Sequence, residues 1–145
     1  MRAVFLVIVA GMAAAVAAGC ASGGADAAKL EGGWVLEAFG GTTELVPADP
    51  GVTSQMAMSD GKVAGSGGVN TFTGTYEAQD GNLEFGQIAA TLMAGEPAAM
   101  EQEAKFLKAL EDTRHFEFDG DKLVLTDTGN NTLMVLTPGD MPAPQ

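Results

Sequence analysis

Few side chains in this 145-residue chain are spaced to do chemistry. Asp127-Thr128-Gly129 follows the apolar run Leu123-Val124-Leu125. In such a setting two carboxylates sharing one proton can divide acid and base work, as in an acid hydrolase. The sequence after Gly129 holds no counterpart carboxylate motif, and Asp, Gly and Asn at this density make a hairpin turn. An acid hydrolase is therefore the least favoured function. Gly65-Ser66-Gly67-Gly68 lacks the Lys that completes a phosphate-binding loop, and strand-like residues follow it. Its glycines are expected to permit a bulge or a close backbone approach in a curved sheet. His115 is the sole histidine, too few for a histidine metal site and without a nucleophile or orienting acid for a catalytic triad. Asp119, Asp121 and Asp127 offer the hard oxygens that calcium prefers, but not the EF-hand spacing. No catalytic residue, metal or cofactor is expected, and Asn70 is expected to hydrogen-bond a turn.

The one cysteine points elsewhere. Met1-Arg2 is a short cationic start, residues 3–18 carry no charge, and Gly19-Cys20 follows. That is the plan of a secretory signal. Ala17-Ala18-Gly19-Cys20 resembles a bacterial lipobox, in which the peptide is cut before the cysteine, the thiol takes diacylglycerol and the new amine is acylated. The apolar run falls short of the roughly 20 residues a membrane span needs, which leaves a plain cleaved signal as the alternative. The reading is a lipoprotein signal peptide at 1–19, lipidation (palmitate) at Cys20, a flexible tether at 20–29, a folded domain at 30–138 and a disordered tail at 139–145. Ala21 in place of Asp implies sorting to the outer membrane, facing the periplasm.

Seven Lys and Arg stand against 19 Asp and Glu, a formal charge of −12. Such a chain is a poor partner for nucleic acid, whose affinity comes from cations on phosphates, and a poor electrostatic fit to an anionic bilayer surface. A lipid anchor, not charge, would then hold it at a membrane.

Between tether and tail the pattern is mostly strand. Trp34 to Phe39, Val52 to Met58, Lys62 to Ala78, Leu83 to Phe85, Phe116 to Phe118, Leu123 to Leu125 and Leu133 to Leu136 read as extended, separated by turns at Ser59-Asp60-Gly61, Asp80-Gly81 and Asp119-Gly120-Asp121. Short turns imply a mainly antiparallel sheet. In residues 97–112 the period changes, with Met100, Ala104, Leu107 and Leu110 at helical spacing, Pro97 at the first turn, and Glu101 and Lys105 paired four apart. The class is α+β: a curved antiparallel sheet with one packed helix.

Gly68-Val69-Asn70, Gly74-Thr75-Tyr76, Leu83-Glu84-Phe85, Thr91-Leu92-Met93-Ala94-Gly95 and Gly120-Asp121-Lys122-Leu123-Val124-Leu125 occur in that order, after an opening Leu30-Glu31-Gly32-Gly33-Trp34-Val35-Leu36. Together they resemble the META domain (HslJ-like) family across residues 30–136. The resemblance implies a half-open barrel and marks Gly68, Asn70, Gly74, Tyr76, Thr91 and Met93 as structural motif residues. It also implies a cysteine pair in relatives where this chain has Val69 and Gly95. If that pair is a disulfide, the two Cα atoms should lie within about 7 Å. The family's association with the envelope and with heat or antibiotic stress implies a non-enzymatic accessory or stress-related binding module. Its expected partners are the membrane, through the lipid, and an envelope protein, with oligomeric state left open. The alternative is a pilot-type chaperone for an outer-membrane partner, with an apolar groove lined by Met56, Met58, Phe72 and Phe85.

Overall fold

A computed structural model describes residues 26–142 and 144. The signal segment 1–19, Cys20 and the start of the tether lie outside the described residues. Among the described residues ten strands follow one another with a single long helix: β1 Gly32–Phe39, β2 Val46–Pro47, β3 Gln55–Ser59, β4 Lys62–Ser66, β5 Thr71–Gln79, β6 Asn82–Phe85, β7 Ala89–Ala90, α1 Pro97–Asp112, β8 His115–Asp119, β9 Lys122–Thr126 and β10 Thr132–Gly139. Every pairing is antiparallel, as short turns require. Asp80 and Gly81 both adopt positive φ, 53° and 80°, the conformation a two-residue hairpin favours because it matches the twist of the strands.

The sheet goes further than half-open, because β1 is long enough to serve two neighbours. Its first half pairs with β3 while Gly33 to Phe39 pair with β10, so the ring closes. A bulge at Glu37, where the β10 register shifts between Leu36 and Ala38, bends β1 around that corner. The ring is irregular at β6 and β8, which meet at the single pair Asn82 and His115. Two of the short strands hang off the ring, β2 on β1 and β7 on β5.

Alternation fills the interior. Trp34, Leu36, Met56, Met58, Phe72, Leu83, Leu123, Leu125, Met134 and Leu136 point inward and are buried. Each such large side chain contributes on the order of 1.5–3 kcal/mol relative to exposure. Phe106 of α1 closes the core from one end, its ring centroid 5.9 Å from that of Phe72. Met56, Met58 and Phe72 are therefore core, and Phe85 packs half-buried against it. The groove expected for a pilot-type chaperone is filled by these same side chains, because a closed ring turns them all inward.

Two boundaries differ from the sequence reading. Residues 26–28, given to the tether, form a helical turn; Leu30 just after it is fully buried, and its carbonyl accepts the Trp34 indole N–H at 2.8 Å. At the other end β10 runs through Pro138 to Gly139, because Thr137 and Pro138 still face Val35 and Trp34 of β1.

Candidate functional site

The helix runs from Pro97 to Asp112 as expected, but its buried face is not the apolar stripe of the sequence. Ala99, Gln102, Glu103, Phe106, Ala109 and Leu110 are buried, while Ala104 is exposed and Met100 and Leu107 are half-buried. The phase is rotated because two polar residues occupy the inner face. Burying them costs free energy unless they are hydrogen-bonded, and both are.

Glu103 organises one end of the ring. Its Oε1 accepts the backbone N–H of Asn70 at 2.5 Å and of Val69 at 3.3 Å, and its Oε2 accepts Asn70 Nδ2 at 2.8 Å. Asn70 Nδ2 also donates to the Met93 carbonyl at 3.1 Å. Asn70 Oδ1 in turn accepts the Thr91 hydroxyl at 2.9 Å and the Met93 N–H at 2.6 Å. Asn70 thus bonds segments 21 to 33 residues away, not only its own turn. Gln102 does the same one residue earlier. Its Nε2 donates to Ser54 Oγ at 2.9 Å and to the Val52 carbonyl at 3.2 Å, and its Oε1 accepts the Asp49 N–H at 2.7 Å. Ser54 Oγ donates onward to the Gly67 carbonyl at 2.5 Å. Gly67 is required by this approach, since a Cβ there would lie 2.5 Å from Cγ of Glu103. Among the described residues no buried side-chain nitrogen or oxygen lacks a partner.

The motif residues cluster around this hub or support it. Gly68, at φ 142°, carries the chain past Val52 and α1, and Gly74 lies under Gln87 and Ile88. Tyr76 is a core residue; burial pushes its phenol above the usual range, and the charges of Glu31 and Asp60 push the same way. Thr91 and the Met93 backbone are fixed by Asn70, yet the side chains of Leu92 and Met93 are 96% and 59% exposed. A Cβ built on Gly95 would sit 3.3 Å from the Cβ of Val69. Each Cα is one bond from its Cβ, so the two Cα atoms are within the roughly 7 Å a disulfide can bridge.

The other candidates do not converge. Asp127 sits on the exposed turn after β9. Its Oδ1 accepts the N–H of Gly129 at 2.8 Å and of Asn131 at 3.0 Å, as turn chemistry predicts. His115 Nδ1 lies 3.0 Å from Asn82 Oδ1 at the β6–β8 seam. Among the described residues no three His, Cys, Asp or Glu are grouped to hold a metal ion, and no helix is long and apolar enough to cross a membrane.

The outer flank of α1 is different in kind. An open trough of about 430 Å³ runs between the helix and the β1–β10 corner, lined by Phe39, Ala104, Ala109 and Leu133 with Lys105 and Lys108 at its rim. A second, separate cavity of about 400 Å³ shares Phe39 and Lys105 with it and is lined further by Val46, Pro47, Asp49, Glu101 and Gln102. Both volumes fall in the range of small-molecule sites. Glu103 and Gln102 were missed by sequence reasoning, although Ala99, Gln102, Glu103, Phe106, Ala109 and Leu110 form an unbroken helical stripe once polar residues are allowed in it.

The family model of the META domain matches residues 28–139. No curated protein matches the chain. Among solved structures, an NMR structure of a protein from Burkholderia xenovorans is 23% identical with a TM-score of 0.63, covering 79% of this chain and 88% of that one. A crystal structure of a DUF4847 family protein from Bacteroides vulgatus is 17% identical with a TM-score of 0.55, covering 81% of this chain and 99% of that one. At these identities the likeness is one of fold.

Proposed function

The chain belongs to the META domain family, and on that premise we propose that it is a lipid-anchored protein of the cell envelope, acting there as a non-enzymatic accessory or stress-related binding module. The observation that carries the non-enzymatic part is the state of Glu103. It is the buried carboxylate of the domain, at 5% exposure, and its oxygens are occupied by Asn70 and Val69. A general acid or base needs a free approach to the reacting proton, whereas this carboxylate is spent on holding the loop between β4 and β5. Asp127 is likewise engaged by its own turn. The anchor rests on the Ala17-Ala18-Gly19-Cys20 junction, and the outer-membrane, periplasm-facing location on Ala21.

Palmitate labelling and membrane fractionation of the wild-type chain and of Cys20→Ser test this reading. Label and outer-membrane recovery in the wild type, both lost in Cys20→Ser, are expected. Label that survives the substitution, or a wild-type chain recovered in the soluble fraction, would overturn it. Crosslinking in intact envelopes then identifies the protein partner the module serves.

A further inference from the structure

We propose that Met93 is an oxidation site of the folded domain: a neutral peroxide converts its thioether to the sulfoxide ahead of the other described methionines, and the fold is unchanged by the oxygen it takes up. The inference goes beyond the envelope reading, because it concerns only the rim of the ring and holds or fails whether or not Cys20 is acylated.

Exposure separates the methionines. Met56, Met58 and Met134 are fully buried, Met100 and Met141 are half-buried, and Met93 is 59% exposed. Its neighbours leave the sulfur open to solvent. Leu92 before it is itself 96% exposed, and Ala94 and Gly95 after it are exposed and too small to shield it. A thioether reacts through a sulfur lone pair and has no proton to lose, so access decides which methionine reacts first. The excess of acids in the chain, 19 to 7 bases, repels anions but not an uncharged peroxide.

The backbone of Met93 keeps the sulfur outside. Its N–H donates to Asn70 Oδ1 at 2.6 Å, and its carbonyl accepts Asn70 Nδ2 at 3.1 Å. Asn70 is held in turn by Glu103 at 2.8 Å. Thr91 donates its hydroxyl to the same Asn70 oxygen at 2.9 Å and its N–H to the Thr71 carbonyl at 3.0 Å. Main chain pinned at these points cannot turn the Met93 side chain inward. The sulfoxide oxygen therefore faces water, and no buried polar group is created. At Met56, Met58 or Met134 the same oxygen would enter the hydrophobic core, which costs free energy. Those sites react only when the ring opens.

The step balances with peroxide alone. The Met93 sulfur attacks one peroxide oxygen, the O–O bond breaks and an S–O bond forms. The departing hydroxide takes the proton left on the transferred oxygen and leaves as water. Sulfur loses two electrons and the peroxide gains them.

The test uses the full chain carrying Cys20→Ser, which removes the only thiol that would compete for oxidant. It is exposed to hydrogen peroxide at neutral pH, and sulfoxide at each methionine is followed by peptide mass spectrometry, with a thermal melt at each time point. Met93 is expected to react at close to the rate of an unstructured methionyl peptide. Met56, Met58 and Met134 should lag it by about a hundredfold or more and catch up in urea. The melt should not move while Met93 alone is oxidised, and Met93→Leu should remove the fast phase and leave the core methionines slow. A Met93 no faster than Met100 or Met141 would overturn the proposal. So would a melting temperature that falls as Met93 reacts, or a lag at the core methionines that persists in urea.

Discussion

Glu103 of α1 accepts the backbone N–H of Asn70 at 2.5 Å and its side-chain amide at 2.8 Å, so one helical carboxylate fixes the loop between β4 and β5. Asn70 passes the constraint on to Thr91 and Met93. Removing the carboxylate strands buried donors in one step. Glu103→Ala is expected to cost about 2–4 kcal/mol, since hydrogen bonds to charged groups are the strong ones and orphaned donors carry a desolvation penalty. Glu103→Gln keeps one acceptor and should cost less. Urea denaturation of both variants checks this. A Glu103→Ala protein within about 0.5 kcal/mol of wild type, the range of an ordinary surface change, would mean that the hub does not hold the loops.

Val69 and Gly95 occupy a site shaped for a pair. The Val69 methyls would lie 2.6 and 2.8 Å from a Cβ at Gly95, so Gly95→Ala alone should destabilise by about 1–3 kcal/mol through overpacking. Adding Val69→Ala should recover much of that loss. Val69→Cys with Gly95→Cys should oxidise to a disulfide and raise stability by about 2–4 kcal/mol under non-reducing conditions. Thiol titration and paired melts with and without reductant measure both effects. Two thiols that stay free in air would refute the geometry.

The elements themselves were legible because their signals are local. Asp80-Gly81 demands its turn, Trp34 to Phe39 alternates, and Pro97 opens the helix where the period changes. The motif residues of the hub were visible only as a resemblance, since nothing in Asn70 announces a partner 33 residues away. The helix phase went astray at Gln102 and Glu103, because a rule that sends polar residues outward cannot see loops that need acceptors. Ring closure was hidden for a similar reason: β1 pairs with β10 across nearly the whole domain, and no local pattern records that meeting.

Asp127 gives the stability of the β9–β10 turn a definite dependence on pH. Hydrogen bonds from the Asn131 backbone and side chain, then from the Gly129 N–H, hold its carboxyl below the ordinary aspartate range, and His115 adds to this. A carboxyl lowered in the folded state contributes stability above its unfolded value, near 3.9, and loses it as the pH falls through the folded value. The stability gap between wild type and Asp127→Asn should therefore be present at about pH 6 and shrink at about pH 3. Denaturation at the two values, with carbonyl NMR titration of Asp127, checks the sign. A gap that does not change with pH, or a midpoint at or above that of a free aspartyl peptide, would contradict it.

The ring should open first where it is least tied. Between β6 and β8 the ladder is Leu83 N–H to the Arg114 carbonyl at 2.9 Å and Phe116 N–H to the Gly81 carbonyl at 3.0 Å, around the one pair Asn82 and His115. Elsewhere in the ring β3 and β4 pair over five consecutive positions from Gln55 to Ser59. Local opening follows the density of such bonds and of apolar packing. Leu83 is fully buried, so exposure of its side chain opposes the opening, but its amide depends on a single partner strand edge. Amide exchange at Leu83 and Phe116 is expected to run faster than at Ala57 and Val63 under the same conditions. His115→Ala, which removes the side-chain bridge to Asn82, should widen that difference. Equal protection in both ladders, unchanged in His115→Ala, would show that the helix and not the ladder holds the seam closed.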